Sequence, residues 1–154
     1  MKVNLIPMAG EGKRFADAGY TTPKPLIEID GLPMVVRAAR ALPNADRWVF
    51  VVRSEHIAEH SIDNVLARYF ADPVIVPLDG LTEGQAITCM AAKPHVPDDA
   101  ILTIGASDND MTYDSARFDA WERNVGVDGL IWTFRRNPTV RLNPRMYGWV
   151  QTRN

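Results

Sequence analysis

The sequence predicts an α/β protein: a three-layer α/β/α sandwich whose helices cover both faces of a mostly parallel sheet. Two observations indicate this class. Short apolar runs alternate along the chain with segments of helical periodicity, which is typical of βαβ units. The runs are apolar at nearly every position, as expected for strands that are buried on both faces of a parallel sheet. The chain has 154 residues, 46% of them hydrophobic and 23% charged, so we expect one domain spanning residues 1–154.

The apolar runs give five predicted strands. They are Val3 to Met8, Trp48 to Val52, Val74 to Val76, Ala100 to Ile104 and Leu130 to Phe134. The helices between them are recognised by apolar residues three and four positions apart, which form an inner face. For the first, second and fourth helices these faces are Val35, Ala38, Ala39 and Leu42; Ala58, Ile62, Val65, Leu66 and Tyr69; and Phe118, Trp121 and Val125.

Polar residues predict where three of the helices begin. Ser54 is expected to cap the second helix, and Asp114 or Ser115 to start the fourth. The third helix opens with Thr82-Glu83-Gly84-Gln85. In a capping box, the side chains of the first and last of these residues satisfy each other's backbone donors. This structural role competes with a binding role for the glutamine.

A glycine loop follows the first predicted strand and reads Gly10-Glu11-Gly12-Lys13-Arg14-Phe15. Two glycines let the backbone take positive φ and turn its N–H groups inward, forming a concave nest that an anion can enter. Arg14 adds a planar, permanently charged fork and Lys13 a mobile point charge. A dinucleotide-binding fingerprint needs a glycine where Phe15 lies, and a P-loop needs Ser or Thr where Arg14 lies, so neither motif fits.

Pro23-Lys24-Pro25-Leu26 follows this loop and contributes another cation. A proline disfavours helical geometry in the residue before it, so Lys24 is expected to be extended and its ammonium held by a stiff segment. Each segment alone is compatible with a surface turn that carries cations. Together they predict a site for a polyphosphate.

The ends of the predicted strands bring two further loops to the same edge of the sheet. In a parallel sheet the carboxyl ends form one rim, where the glycine loop, the Thr82 loop and the turn Gly105 to Asp110 all fall. Asp108 offers a hard carboxylate for a Mg²⁺ ion that bridges phosphate oxygens. The alternative is a solvated turn residue. Asp110 is a weaker second candidate, and Asp114 is interpreted as a helix cap.

Other reactive side chains are interpreted as structural. His56 and His60 have a spacing that suits zinc, but an exposed helix face is the preferred interpretation. Cys89 is interpreted as a small core residue. As the single cysteine, it excludes an internal disulfide and suits a reducing cytoplasm. Aromatic residues near the end of the chain are expected in a core or interface; they are Trp132, Phe134, Tyr147 and Trp149.

The charge balance limits the partners. Seventeen Lys and Arg against 19 Asp and Glu give a net charge of -2, so no nucleic-acid or membrane-surface partner is expected. No apolar run approaches the ~18 residues of a membrane span, and no signal peptide is visible at the start. These features predict a cytoplasmic protein. A homodimer is plausible, and the sequence has no signal that decides it.

The glycine loop and the Pro-Lys-Pro-Leu segment resemble those of the nucleoside-triphosphate transferases. These are the sugar-1-phosphate and phosphocholine-type nucleotidyltransferases, with the NDP-sugar pyrophosphorylases among them. The family pattern is a strand, G-x-G-x-R-[LFM], P-K-P-L, a second apolar strand and G-x-P, here Gly31-Leu32-Pro33; the match is dense over residues 3 to 42. The resemblance implies a Rossmann-like sheet and attack of a phosphomonoester oxygen on the α-phosphorus of a nucleoside triphosphate, releasing pyrophosphate.

The resemblance also implies roles for individual residues. Arg14 and Lys24 would be catalytic, and Asp108 would hold Mg²⁺. The nucleotide would contact Ala9, Gly10, Gly12, Lys13, Glu83, Gly84 and Gln85. Ser107-Asp108-Asn109 departs from the usual G-D-x and resembles the cytidylyltransferase branch that acts on phosphocholine and other non-sugar phosphates. The base and the acceptor therefore stay open, and a place in nucleotide-sugar or polysaccharide biosynthesis is implied only generally.

Family members run well past 200 residues, so we expect these 154 residues to be the nucleotide-binding part of a larger catalytic domain. Gly148-Trp149-Val150-Gln151 resembles the strand that approaches the acceptor site. Two alternatives remain. One is a non-catalytic nucleotide-binding or regulatory module of the same fold. The other is an unrelated α/β protein whose loop binds another phosphorylated metabolite.

Overall fold

The computed structural model describes residues 1–124 and 126–151 and divides into two compact units, Met1–Tyr113 and Asp114–Asn154. Val125, which was expected on the inner face of the fourth helix, lies outside the described residues. Among the helices that are described, none has both the length and the apolar content needed to cross a membrane.

The first unit contains a parallel sheet flanked by helices. Its strands are β1 (Lys2–Pro7), β2 (Glu28–Ile29), β3 (Leu32–Pro33), β4 (Arg47–Arg53), β5 (Val74–Leu78) and β6 (Ile101–Ile104). Its helices are α1 (Lys13–Asp17), α2 (Met34–Arg40), α3 (Ser54–His60), α4 (Ile62–Ala67) and α5 (Gln85–Met90), with 3₁₀ turns at Lys24–Leu26 and Lys93–His95. Within the described residues, four strands form one sheet in the order β5-β4-β1-β6, and every neighbouring pair is parallel.

Two apolar clusters cover the two faces of this sheet. Alternate residues of a strand point to opposite faces. Ile6 and Phe50 therefore pack with Val35 of α2 and Leu66 of α4, whereas Leu5 packs on the other face. The partners on that second face are Val3, Val49, Val51, Val76 and Ala92. Burial of each large apolar side chain contributes about 1.5–3 kcal/mol. The predicted three-layer α/β fold is confirmed.

Strand β6 differs from the expectation that it is buried on both faces. Its residues Ile101, Leu102 and Ile104 are 46%, 41% and 49% exposed. The strand lies at the edge of the sheet and pairs with β1 alone among the described strands. An apolar run predicts a strand, but the position of that strand in the sheet determines how much of it is buried.

A tight hairpin links the 3₁₀ turn at Lys24–Leu26 to helix α2. Strands β2 and β3 are antiparallel, and the two residues between them, Asp30 and Gly31, have φ values of 51° and 77°. Positive φ at both positions identifies a type I′ turn, for which Asp-Gly is a favoured sequence.

The second predicted helix is two helices. Ser61 takes a left-handed conformation with φ 49°, so α3 ends there and α4 begins at Ile62. The predicted cap is also wrong: Arg53 is the N-cap residue, and Ser54 Oγ donates instead to Asp79 Oδ1 at 2.6 Å. The acceptor comes from the loop after β5, which sequence spacing does not indicate.

The second unit contains α6 (Ser115–Glu122), α7 (Pro138–Leu142) and a 3₁₀ turn at Pro144–Met146. The predicted cap of α6 is confirmed, since Asp114 Oδ1 accepts from Arg117 N at 3.0 Å. The predicted strand Leu130 to Phe134 is wrong, because this segment is irregular and Ile131 is 74% exposed. Residues 148–151 are irregular as well. A strand needs a partner for its backbone groups, and no other strand is described in this unit.

Candidate functional site

A cleft of about 410 Å³ lies at the carboxyl ends of β1, β5 and β6, within the first unit. This volume is within the usual range for small-molecule sites, about 300–1,000 Å³. The lining comes from the glycine loop, the 3₁₀ turn at Lys24–Leu26, the loop before α5 and the loop after β6. It consists of Pro7 to Gly10, Gly12 to Phe15, Lys24, Pro25, Leu81, Thr82, Gly84, Gln85, Thr88 and Ala106 to Asp108.

The cleft brings together most of the site residues predicted from sequence. Those that line it are Ala9, Gly10, Gly12, Lys13, Arg14, Lys24, Gly84, Gln85 and Asp108. Glu83 does not line it, although its two neighbours in sequence do. The convergence follows from the parallel sheet, since loops after parallel strands emerge at one edge.

The glycine loop turns into helix α1 at Gly12. This residue has φ 64° and is the N-cap of the helix, with its carbonyl accepting from Phe15 N at 2.9 Å. A Cβ atom at Gly12 would lie 3.4 Å from Lys24 Cβ, so the loop and the 3₁₀ turn are in close contact. Gly10 is not among the glycines with positive φ, and a Cβ there would have no neighbour within 4 Å. Only Gly12 therefore uses the conformational freedom expected of both glycines.

The expectation that Lys24 is extended is wrong. Lys24–Leu26 is a 3₁₀ turn in which Leu26 N donates to Pro23 O at 2.8 Å and Ile27 N to Lys24 O at 3.2 Å. Proline is tolerated in the first turn of a helix, where its missing N–H is not needed. Pro25 is also buried, so burial and the hydrogen bonds outweigh the local preference of Lys24.

Lys24 and Asp108 form an ion pair inside the cleft, with Lys24 Nζ donating to Asp108 Oδ2. The ammonium also lies 5.9 Å from the ring centroid of Phe15, within the range of a cation–π contact. Lys13 and Arg14 are exposed in the same lining. The described lining thus has three cations and one carboxylate, which makes it locally cationic in a chain whose net charge is -2.

The capping box predicted at the third helix is wrong. Helix α5 begins at Gln85 with Gly84 as N-cap and no side-chain cap, and Thr82 Oγ1 donates to Gly84 O at 3.0 Å. Thr82 Oγ1 also lies 2.6 Å from Oγ1 of the buried Thr88. The contact between the Thr82 and Thr88 hydroxyls therefore stabilises the loop that precedes α5. Gln85 is not engaged as a cap, so its side chain at the cleft is available to a ligand.

Arg37 links three segments next to the cleft and was not predicted. From α2, its Nε donates to Asp110 Oδ2 at 2.9 Å and its Nη1 to Asp30 Oδ2 at 2.6 Å. The hydrogen bond to Asp110 has the largest effect on the pKa of Arg37, followed by the bond to Asp30, and both raise that pKa above its usual value. Asp110, the weaker metal candidate, is thus occupied by an arginine. No local spacing in the sequence connects Arg37 to a residue 73 positions away.

The donor set of the cleft suits a metal ion that a substrate helps to hold. Among the described residues, no group of three or more His, Cys, Asp or Glu side chains is arranged to bind a metal. Mg²⁺ usually takes one or two carboxylates and completes its coordination with substrate phosphates and water. Asp108, as a lone carboxylate beside three cations, fits that arrangement and does not fit a site built from protein ligands alone.

His56 and Cys89 lie away from the cleft lining. The expectation of an exposed helix face is wrong for His56, which is 7% exposed. Its Nδ1 is buried without a hydrogen-bond partner, and burial lowers its pKa. Cys89 packs beside the core cluster that contains Leu5 and Val51, as expected for a small core residue, and burial raises the pKa of its thiol.

The fold is similar to that of nucleotidyltransferases. A nucleoside-diphosphate-sugar pyrophosphorylase from Vibrio cholerae RC9 superposes with a TM-score of 0.52 and 26% sequence identity, over 75% of this chain and 52% of that chain. The inositol-1-phosphate CTP transferase from T. maritima superposes with a TM-score of 0.57 and 21% identity, over 68% and 43%. The structural resemblance predicted from the sequence is confirmed.

These similarities are structural. No protein-family model matches the chain, and no curated protein matches it. The chain spans about half the length of the first neighbour and less than half of the second.

Proposed function

We propose that this chain carries the nucleotide site of a nucleotidyltransferase, which transfers a nucleoside monophosphate to a phosphorylated acceptor. The acceptor class is a sugar 1-phosphate or a small phospho-alcohol. The observation that carries the proposal is the cleft. A glycine loop, three cations and one carboxylate converge there at the carboxyl edge of a parallel sheet. The two structural neighbours, one named for nucleoside-diphosphate sugars and one for CTP, support the same kind of reaction.

In the proposed reaction, an oxygen of the acceptor phosphate attacks the α-phosphorus of the triphosphate. The bond between the α-phosphorus and the oxygen that bridges to the β-phosphorus breaks, and pyrophosphate leaves with the electron pair. The nucleophile is already an anion, so the protein has to hold two phosphates in line and neutralise charge. No covalent intermediate is needed.

In the proposed reaction, the cations of the cleft contact different phosphates. Lys13, Arg14 and the backbone N–H groups from Gly10 to Gly12 bind the triphosphate, and Lys24 contacts the α-phosphate and the incoming phosphate. Asp108 would hold a Mg²⁺ ion, which would supply positive charge to neutralise the phosphates. Since Lys24 and Asp108 form an ion pair, Lys24 exchanges this carboxylate for phosphate oxygens when nucleotide binds. The same exchange would leave Asp108 free to hold the metal.

The loop from Leu81 to Gln85 forms the nucleobase side of the site. Gly84 and Gln85 line the cleft, and the Thr82–Thr88 contact holds the loop. Glu83 is outside the lining, which favours contact of the base with its neighbours instead.

A ligand screen tests the proposal. We would measure the thermal midpoint of the chain with Mg²⁺ and each of CTP, UTP, dTTP, GTP and ATP. A ligand at 100 times its Kd adds ~2.7 kcal/mol to the free energy of unfolding. We expect stabilisation by one triphosphate, and pyrophosphate release when an accepted phosphorylated acceptor is added. No stabilisation by any of the five would contradict the proposal.

The second candidate is a non-catalytic nucleotide-binding or regulatory module of the same fold. It is favoured by the observation that Asp108 is the one carboxylate in the described lining and is paired with Lys24. This candidate predicts that the chain binds a nucleotide but releases no pyrophosphate with any acceptor. The two measurements together separate the candidates.

A further inference from the structure

Arg37 joins helix α2 to the loop that carries Asp108, through its hydrogen bond to Asp110. It belongs to α2, whose Met34, Val35, Val36, Ala38 and Ala39 are buried, so its backbone is fixed to the core. The loop after β6 has no helix or strand of its own between Gly105 and Asp114 in the described chain. The guanidinium of Arg37 therefore connects a rigid element to an irregular one.

The geometry of this connection uses two donors on two carboxylates. Nε is 2.9 Å from Asp110 Oδ2, and Nη1 is 2.6 Å from Asp30 Oδ2 at the tip of the β2–β3 hairpin. The side chain of Arg37 is 38% exposed, and those of Asp110 and Asp30 are 53% and 79% exposed, so the network lies at the surface and its arm to Asp110 is the less exposed one. A guanidinium is planar and holds its donors in fixed directions, so fixing one carboxylate also fixes the orientation presented to the other. A lysine ammonium lacks this property.

Asp110 is two residues from Asp108, so the position of one limits the position of the other. On its other side, Asp108 is held by Lys24. The Arg37–Asp110 contact does not involve Lys24, so it would still hold the loop when Lys24 turns to phosphate. The ion pair with Arg37 also offsets part of the charge of Asp110, which would lessen its repulsion of Asp108.

We infer that Arg37 is a positioning residue that holds the Asp108 loop in the geometry needed to bind the magnesium nucleotide. This inference rests on the proposed function. Arg37 does not line the cleft and touches no reacting group. Its contribution passes through Asp110 to Asp108, in the way that residues outside the first coordination sphere orient a metal ligand.

The first test is hydrogen exchange of the Gly105 to Thr112 segment in the 154-residue chain without nucleotide. Arg37→Gln should speed exchange in this segment and leave the sheet unchanged. Arg40→Gln is the matched control, because Arg40 is on the same helix but lies over the Tyr69 ring, 5.5 Å from its centroid. Asp110→Asn should reproduce the effect of Arg37→Gln. Unchanged exchange in the Arg37 variant would overturn the inference.

The second test measures binding of CTP, UTP, dTTP, GTP and ATP with and without Mg²⁺. For the triphosphate that the wild type binds, Arg37→Gln should lower the enhancement by Mg²⁺ about 10- to 100-fold, as for changes next to metal ligands. Binding without Mg²⁺ should stay the same. Arg37→Lys should give an intermediate value, since an ammonium keeps the charge but does not hold its donors in fixed directions.

The two tests separate the possible failures. If Arg37→Gln weakens binding equally with and without Mg²⁺, Arg37 has only a structural role and the inference is overturned. If the wild type binds none of the five triphosphates, the proposed function fails, and the metal-related role of Arg37 fails with it. The exchange experiment then still reports whether Arg37 orders the loop, so the two failures are distinguishable.

Discussion

Lys24 and Asp108 are 84 residues apart in sequence and form an ion pair in the cleft. Each comes from a different loop, the first from the 3₁₀ turn before the hairpin and the second from the loop after β6. The pair joins the cation proposed to contact the α-phosphate with the carboxylate proposed to hold the metal. In the proposed function both residues change partners when a magnesium nucleotide binds, so substitutions of either test it.

Lys24→Ala should lower the rate of pyrophosphate release by orders of magnitude and change the thermal midpoint little. Removing one preorganised contact to a transition-state oxyanion typically costs about 10²–10³ in rate. Lys24 is partly exposed, with 21% of its side chain accessible, so its loss should not open the core. Lys93→Ala is the matched control, since Lys93 is exposed and outside the cleft. Near-normal turnover in Lys24→Ala would remove this lysine from the mechanism.

Arg14→Ala should abolish the thermal stabilisation by the triphosphate that the wild type binds. Arg14 is the second residue of α1, two positions after the N-cap Gly12, and its guanidinium is a fork whose donors match phosphate geometry. Its side chain is exposed, so the midpoint without ligand should change little. Arg68→Ala, which removes an exposed arginine from outside the cleft lining, should keep the full stabilisation. Equal shifts in wild type and Arg14→Ala would place the triphosphate elsewhere.

Gly12→Ala should destabilise the chain more than Gly10→Ala. Gly12 has φ 64°, where an L-residue with a Cβ costs roughly 1–2 kcal/mol, and the new Cβ would lie in van der Waals contact with Lys24 Cβ at 3.4 Å. At Gly10 a Cβ would meet nothing within 4 Å. Urea unfolding of the two variants measures the difference. The Gly12 variant should also lose triphosphate affinity, because the loop and Lys24 shift together. Equal free energies of unfolding would show that the left-handed turn is not required.

Sequence predicted the features that local patterns determine. The glycine loop after β1, the cap at Asp114 and the order of strands and helices in the first unit depend on neighbouring residues or on a short period. The shared rim followed from parallel pairing alone. These account for the fold class and for most of the residues that line the cleft.

The features that could not be predicted from the sequence depend on contacts between residues that are far apart in the chain. Arg37 lies 73 residues from Asp110, and Lys24 is held in a 3₁₀ turn by burial of Pro25 against its own local preference. The apolar run from Leu130 to Phe134 satisfies a strand pattern without a partner strand in the described unit. A period of two or a run of apolar residues is a local property, whereas pairing and burial depend on the rest of the chain.

His56 should make stability depend on pH below neutrality. Burial lowers its pKa, with Arg53 and His60 adding to this and Glu55 opposing it. The unfolded chain, with an ordinary histidine pKa of about 6.5, therefore binds a proton at a higher pH than the folded chain does. Stability rises with pH wherever the unfolded state binds more protons. The contribution is thus complete above about pH 6.5 and is lost as the pH falls from there towards the folded-state pKa.

Urea unfolding between about pH 8 and pH 5 isolates this contribution by comparing the wild type with His56→Gln. The glutamine is neutral throughout, so the variant should show a smaller loss of unfolding free energy as the pH falls, even if lost packing makes it less stable at the alkaline end. His60→Gln removes the neighbouring imidazole, whose ring centroid is 6.4 Å from that of His56, and should keep most of the slope. Equal slopes in the wild type and His56→Gln would mean that acidification acts through other groups, and that the buried Nδ1 of His56 does not resist protonation.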